Sequence, residues 1–345
     1  MKTFYNAIHA RHAGRLEMYR GHLVPCHEVP DRVEHVLAEL RRRPGGPVLE
    51  PGPVDRAQVA RVHCPRYLDF LEHAWDSWVA LDPSHAAQDA LPAVWPIRGF
   101  RHDIEPASFA ARIGLYSFDA GTPLTAGSWE AALAGAACAQ QAAAAVAAGE
   151  RAAFALTRPP GHHAGPDFFG GYCFINNAAL AAQALREQGA ARVAVLDIDY
   201  HHGNGTQTIF YDRSDVLTVS LHGDPCTEYP FFLGYADERG EGGGLGANLN
   251  LPLPRGTGFE SWSKALESGL GAVAAHGADA LVVALGLDTF EGDPISGFHL
   301  RSDDYLRIGE RLRQAGLPTV FTFEGGYAVA EVGINAVNLL QGFEG

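Results

Sequence analysis

At 345 residues the chain exceeds the usual single-domain length, but α/β chains of this size commonly close around one sheet, so one domain spanning 1–345 is expected. Hydrophobic residues make up 47% and charged residues 19%, which excludes a disordered or collagen-like chain and allows a large core. The net charge is −14 and Lys2 and Lys264 are the only lysines, so no cationic stripe awaits a polyanion and nucleic acid is not an expected partner. An acidic field concentrates small cations and basic peptides, although moderate acidity also serves solubility alone. Five cysteines (Cys26, Cys64, Cys138, Cys173, Cys226) without CxxC spacing argue against a disulfide framework and a thiolate zinc knuckle, and fit a reducing compartment. The first residues lack the apolar core of a signal peptide, and the Ala-rich stretch 131–148 is broken by Gln140 and Gln141. No membrane segment is expected, and the cytoplasm is the expected location.

In chain order, the first departure from regular periodicity is 83–127, rich in prolines and scattered aromatics, which reads as a loop insertion of the lid, binding-loop or partner-contact kind. A helix is predicted over 129–148, with Ser128 as its N-cap. Four apolar runs then read as buried parallel strands: "AAFALTR", "ARVAVLDID", "ADALVVALGLD" and "PTVFTFEGG". Between the second and third, "ERGEGGGLGAN" lacks a dinucleotide-binding fingerprint and reads as a mobile turn. Strands alternating with helices predict an α/β doubly wound, mostly parallel sheet flanked by helices, whose strand ends share one rim where ligands bind.

Each predicted strand delivers chemistry to that rim. His162 and His163 follow the first, Asp197, Asp199, His201 and His202 close the second, Asp288 the third, and Tyr327 follows the fourth. Alternate residues of an extended segment share a face, so Asp199 and His201 can hold one ion, with Asp288 arriving from a neighbouring strand end. Two carboxylates and an imidazole suit a borderline or hard divalent ion and leave a coordination position open, where zinc would bring a water's pKa to about 7. Amide hydrolysis then needs a base for the water's proton and an acid for the departing amine. Imidazole suits both jobs, and the second histidine can stabilise charge if Asp197 sets its tautomer. Tyr327, after two glycines, can donate to the developing oxyanion. The competing reading, in which Asp197 and Asp199 merely cap a helix near "GNGTQTIFY", accounts for neither His201 nor Asp288.

The motifs "RPPGHHAG", "GGYCFINNAA", "LDIDYHHGNGTQ", "SLHGDP", "GLDTFEGDPISGF" and "EGGY" together resemble the histone deacetylase family, most closely its acetylpolyamine amidohydrolase branch. The resemblance implies an arginase/deacetylase fold with one zinc per subunit held by Asp199, His201 and Asp288. It further implies His163 as general base and acid, His162 as its electrostatic partner, Tyr327 as the carbonyl-polarising residue, and a potassium ion near Asp197, Asp199, His201, Ser220 and Leu221. Asn204 stands where many members carry an aspartate directed at the second histidine, so that imidazole is tuned differently here.

By the same resemblance the insertion crosses to a partner subunit, implying a homodimer that admits slender substrates. Asp103 and Glu105 match acidic positions in it, and Glu17 and Tyr19 match others near the start of the chain. Gly121 stands where a related enzyme carries a glutamate, with Asp119 two residues earlier, so an amine-recognising carboxylate is lost or moved. Phe169, Tyr172, Tyr229 and Ile295 are candidates for an apolar wall. The expected activity is zinc-dependent removal of acetyl or other short acyl groups from polyamines, with N-acetyl-lysine as the alternative substrate. A dinuclear manganese ureohydrolase would need a further bridging aspartate where "DIDYHH" has histidine, and a non-catalytic acyl-binding module would be expected to lack the tyrosine or a ligand.

Overall fold

The computed structural model describes residues 1–43 and 45–345. Strand β1 (Lys2–Phe4) is followed by a hairpin of β2 (Leu16–Tyr19) and β3 (His22–Pro25), then by α1 (Asp31–Arg42), β4 (Val48–Leu49), α2 (Arg56–Val59), α3 (Pro65–Leu81), α4 (Phe109–Leu115) and α5 (Ser128–Ala147). Strand β5 (Ala152–Ala155) opens the regular alternation: α6 (Asn177–Glu187), β6 (Val193–Asp197), α7 (Asn204–Phe210), β7 (Val216–Gly223), β8 (Asn248–Leu253), α8 (Phe259–His276), β9 (Ala280–Leu285), α9 (Ser302–Gln314), β10 (Thr319–Phe323) and α10 (Val329–Glu344).

Eight strands form one sheet in the order β4-β1-β5-β10-β9-β6-β7-β8, with every pairing parallel. The four strands expected from apolar runs are its four adjacent central members. Their runs are continuous because both faces are covered. Val193 and Val195 of β6 point into a core built with α3, α5 and α6, while Ala194 and Leu196 point into one built with α1, α8, α9 and α10. Strand β9 divides in the same way, Ala280, Val282 and Ala284 to one side and Leu281, Val283 and Leu285 to the other. The alanines of α5 keep that helix thin, and nearly all of its inner face is buried. No described helix is long and apolar enough to cross a membrane.

One local expectation is corrected. Ser128 is the first residue of α5 and does not cap it; its hydroxyl instead accepts from the Thr125 N–H at 2.8 Å and meets His12 Nδ1 at 2.9 Å, tying the helix start to the N-terminal segment. The stretch 83–127 contains a 3₁₀ turn (Pro83–Ala87), α4 and a bridge between Ala90 and Leu124.

Candidate active site

Because all eight strands run one way, the segments leaving β5, β6, β9 and β10 emerge side by side at the carboxyl edge of the sheet. Beyond β6 the chain is shaped by its own carboxylates: Asp197 Oδ1 accepts from the Asp199 N–H at 3.1 Å, and Asp199 Oδ1 from the His201 N–H at 2.9 Å. Asp288, arriving after β9, accepts from the Tyr200 N–H at 2.8 Å. Neither Asp197 nor Asp199 caps α7, whose N-cap position is Gly203 with no side-chain cap bond. This removes the capping alternative.

Asp199, His201 and Asp288 converge with one ligand atom each, all within 4.8 Å of one another and all buried. His201 Nδ1 lies 2.8 Å from Asp288 Oδ2 and 3.4 Å from Asp199 Oδ1. Burial and the neighbouring Asp199 push the Asp288 carboxyl up to about 8, while burial is outweighed at His201 by the two aspartates, which raise it to about 10. Two buried carboxylates facing a single imidazole are short of positive charge, and a divalent cation on these three atoms would correct that; the donor set fits one. A Cβ on Gly325 would stand 2.5 Å from Asp199 Oδ2 and 2.8 Å from Asp288 Oδ2, so only glycine lets the segment after β10 pass this close.

The rigid histidine pair sits directly beside this group. His162 Nδ1 is 2.9 Å from Asp197 Oδ2, and His163 Nδ1 is 2.6 Å from Asn204 Oδ1. The different acceptors separate the two rings. At His162 burial is outweighed by Asp199 and Asp197, which raise it to about 10; at His163 burial, with His162 and His201 nearby, holds the imidazole far below the ordinary histidine value. Protonation is thus favoured at His162 and disfavoured at His163. A titratable pair driven apart is the usual sign of divided acid–base labour. An amide oxygen can only accept, so Asn204 fixes His163 with its proton on Nδ1 and a lone pair on Nε2.

Tyr327 leaves β10 with its N–H donated to Asp293 Oδ2 at 2.7 Å and its ring edge-on to Tyr172, centroids 5.5 Å apart. Arg32, braced on buried Glu28 at 2.9 Å and donating from Nε to the Gly326 carbonyl at 2.6 Å, lies 4.7 Å from the Tyr327 ring. Burial, against the pull of Arg32, keeps the phenol protonated well beyond neutral pH.

The remaining expected positions divide. Tyr172, at φ 67°, donates its hydroxyl to Glu17 at 2.9 Å, and Glu17 also accepts from His27 Nδ1 at 2.7 Å; Tyr19 packs on the His27 ring. Tyr229 stands edge-on to His163 at 5.2 Å and donates to Asp119 Oδ2 at 2.7 Å. Ile295 is nearly buried beside Asp293, to which its N–H donates. Asp197 faces Ser220 across the β6–β7 ladder with Leu221 next in line, all buried. Asp103 is exposed and paired with Arg101, and Glu105 accepts from Tyr116 at 2.5 Å, so both acids lie on the insertion with partners of their own.

Phe169 is corrected. It has no exposed surface and stacks on Phe174 and Phe70 in the core, whereas its half-buried neighbour Phe118 stacks on Tyr229 and approaches His163. Asp119 is not a free amine receptor either, since the N–H groups of Gly171 (2.7 Å) and Gly121 (3.1 Å) also donate to it. Reasoning from sequence passed over Phe118, Asp293, Arg32, Glu28 and Glu324. Only Glu324, an acid ending an apolar strand just before two glycines, carried a visible signal.

The histone deacetylase domain family model matches residues 26–342, and the chain belongs to that family. It is 52% identical to Acetylpolyamine amidohydrolase 2 of Pseudomonas aeruginosa over 345 residues, covering 100% of this chain and 99% of that one. The Acetylpolyamine amidohydrolase of Mycoplana ramosa is 47% identical with 100% of both chains covered. Among solved structures, the acetylpolyamine aminohydrolase of Burkholderia pseudomallei superposes with a TM-score of 0.94 at 40% identity, covering 99% of this chain and 98% of that one.

Proposed function

We propose that this protein is a zinc-dependent amidohydrolase that removes acetyl groups from acetylated polyamines, converting an amide and water into a carboxylate and a free amine. The observation that carries the reading is the meeting, at one sheet edge, of the Asp199, His201 and Asp288 cluster with His163, whose Nδ1 is held by Asn204 at 2.6 Å. Zinc bound to those three ligands would polarise the amide carbonyl and acidify a water for attack at neutral pH. His163 Nε2 takes the proton of the attacking water and delivers it to the departing nitrogen. His162, whose Nδ1 is 2.9 Å from Asp197, stabilises the negative charge that develops, and the Tyr327 hydroxyl donates to the carbonyl oxygen. We assign a potassium ion to the neighbourhood of Asp197, Asp199, His201, Ser220 and Leu221, on the resemblance to the histone deacetylase family.

The substrate class rests on the names of the full-length relatives, supported by the net charge of −14 and by a wall of Phe118, Tyr172 and Tyr229 suited to a slender chain. Two acids bond to that wall, Glu17 to Tyr172 and Asp119 to Tyr229. The protein is expected to turn over acetylputrescine faster than an acetyl-lysine peptide, with one zinc per chain by elemental analysis. Faster peptide cleavage would favour the lysine reading, and two manganese ions per chain would favour the ureohydrolase.

We further propose a homodimer built through the 83–127 insertion. Val94, Ile97, Phe100 and Ile104 are each more than half exposed there, an apolar surface that a second copy would cover. Light scattering is expected to give twice the 36.9 kDa chain mass; a monomer at micromolar concentration would remove this assignment. The five free thiols fit residence in the reducing cytoplasm.

A further inference from the structure

The carboxylate of Glu324 has no part in the chemistry described so far, yet it is wholly buried at the mouth of β10, among groups that have. Its Oε2 accepts from two successive backbone donors, the Gly161 N–H at 2.5 Å and the His162 N–H at 3.1 Å. Its Oε1 accepts from the Thr322 hydroxyl at 3.0 Å. Its own backbone is fixed in turn: the N–H donates to the Leu285 carbonyl at 2.9 Å, and its carbonyl accepts from Arg32. The next residue, Gly325, donates to Asp199 Oδ2 at 2.8 Å, and Tyr327 follows two positions later. One side chain therefore fastens the histidine loop to the segment that reaches the metal-ligand cluster and carries the tyrosine.

Two consecutive N–H groups converging on one oxygen form a concavity that suits a carboxylate, and such hydrogen bonds are strong in a dry interior. From its other side the same loop is gripped by Asn176, whose Nδ2 donates to the Ala164 carbonyl at 3.0 Å while its Oδ1 caps α6. A Cβ on Gly161 would meet the Asn177 nitrogen at 2.4 Å, so the loop has no room to settle inward if its outer fastening is lost.

We propose that Glu324 is a positioning residue for the deacetylation reaction: it sets His162 and His163 in register with Tyr327 and the Asp199, His201, Asp288 cluster, through its Oε2 bonds to the Gly161 and His162 backbone. The role is one of reach and acceptance, not of charge. Oε2 accepts whether or not Oε1 carries a proton, and the amide oxygen of glutamine can take its place while the amide nitrogen faces Thr322. An aspartate keeps the charge but falls one methylene short.

The test compares Glu324→Gln, Glu324→Asp and Glu324→Ala, with kcat and KM measured on acetylputrescine, zinc per chain by elemental analysis and folding by circular dichroism. It rests on the deacetylase reading above, but the two fail separately: an inactive parent enzyme sinks that reading, and the ratios among variants judge this one. The expected result is that Asp and Ala each lower kcat by about 10²-fold with KM and zinc content little changed, because misplacement by about 1 Å costs on that order, while Gln stays within about threefold of the parent. Should the Ala variant fail to fold, the contrast between Gln and Asp still decides. Activity kept by Asp and lost by Gln would mean that charge matters, and would overturn the proposal; so would a loss falling mainly on KM, or one tracking loss of zinc. The ring N–H of His162 bonded to Asp197, followed by NMR, gives a check independent of turnover. Its signal is expected to move in the Asp variant and stay in the Gln variant, and the reverse would also overturn the assignment.

Discussion

Replacing Tyr327 with phenylalanine is expected to lower kcat by about 10²–10³-fold, the usual cost of removing one oxyanion donor, while leaving KM and the zinc content of the chain nearly unchanged. The expectation is specific because everything but the hydroxyl survives the change. The ring keeps its edge-on contact with Tyr172 and its place beneath Arg32, and the backbone N–H stays on Asp293. Burial holds the phenol protonated, so the native residue is a hydrogen-bond donor throughout the neutral range. Steady-state kinetics on acetylputrescine with parallel metal analysis checks this, and turnover close to that of the parent would remove Tyr327 from the chemistry.

Replacing His163 with alanine is expected to cost about 10²–10⁴-fold in kcat, the range for losing a general acid–base group. It should also abolish the acid limb of the kcat/KM profile. Burial, His162 and His201 all disfavour charge on His163, and a cation on the neighbouring ligands acts in the same direction, so in the parent that limb is expected below the ordinary histidine value. Asn204→Asp supplies the sign check. A carboxylate 2.6 Å from Nδ1 would favour the imidazolium, raising the pKa of His163 and carrying the acid limb to higher pH. A limb that stays in place in Asn204→Asp, or persists in His163→Ala, would move the base elsewhere.

The two assignments differ in how visible they were beforehand. Asp199, His201 and Asp288 could be read from the chain because strand ends mark themselves: a run of apolar residues stops and polar ones follow. The different surroundings of His162 and His163 could not, and only the family resemblance separated their roles. The two residues are neighbours of the same type, and only their acceptors, Asp197 from β6 and Asn204 from α7, tell them apart. Phe169 was misjudged for a related reason. It lies in a motif beside the histidine loop, but consecutive side chains in an irregular segment point in unpredictable directions, and this one points into the core. Glu17 and Tyr172 lie 155 positions apart, and nothing local announces that they share a hydrogen bond.

Taken alone, the order of residues determined the fold class, the central strands and the chemical groups delivered to their ends, because periodicity and strand termination are local properties written into consecutive side chains. Only the folded chain decided that β5, β10, β9 and β6 are neighbours in that order, and therefore that the segments carrying residues 162 to 327 leave one edge of the sheet side by side. The same holds for the buried fastenings at Glu324, Asp119 and Arg32. Which acceptor meets which donor, and which ring meets solvent, depends on packing between segments far apart in the chain, and that packing is settled by the whole sheet and its two cores at once.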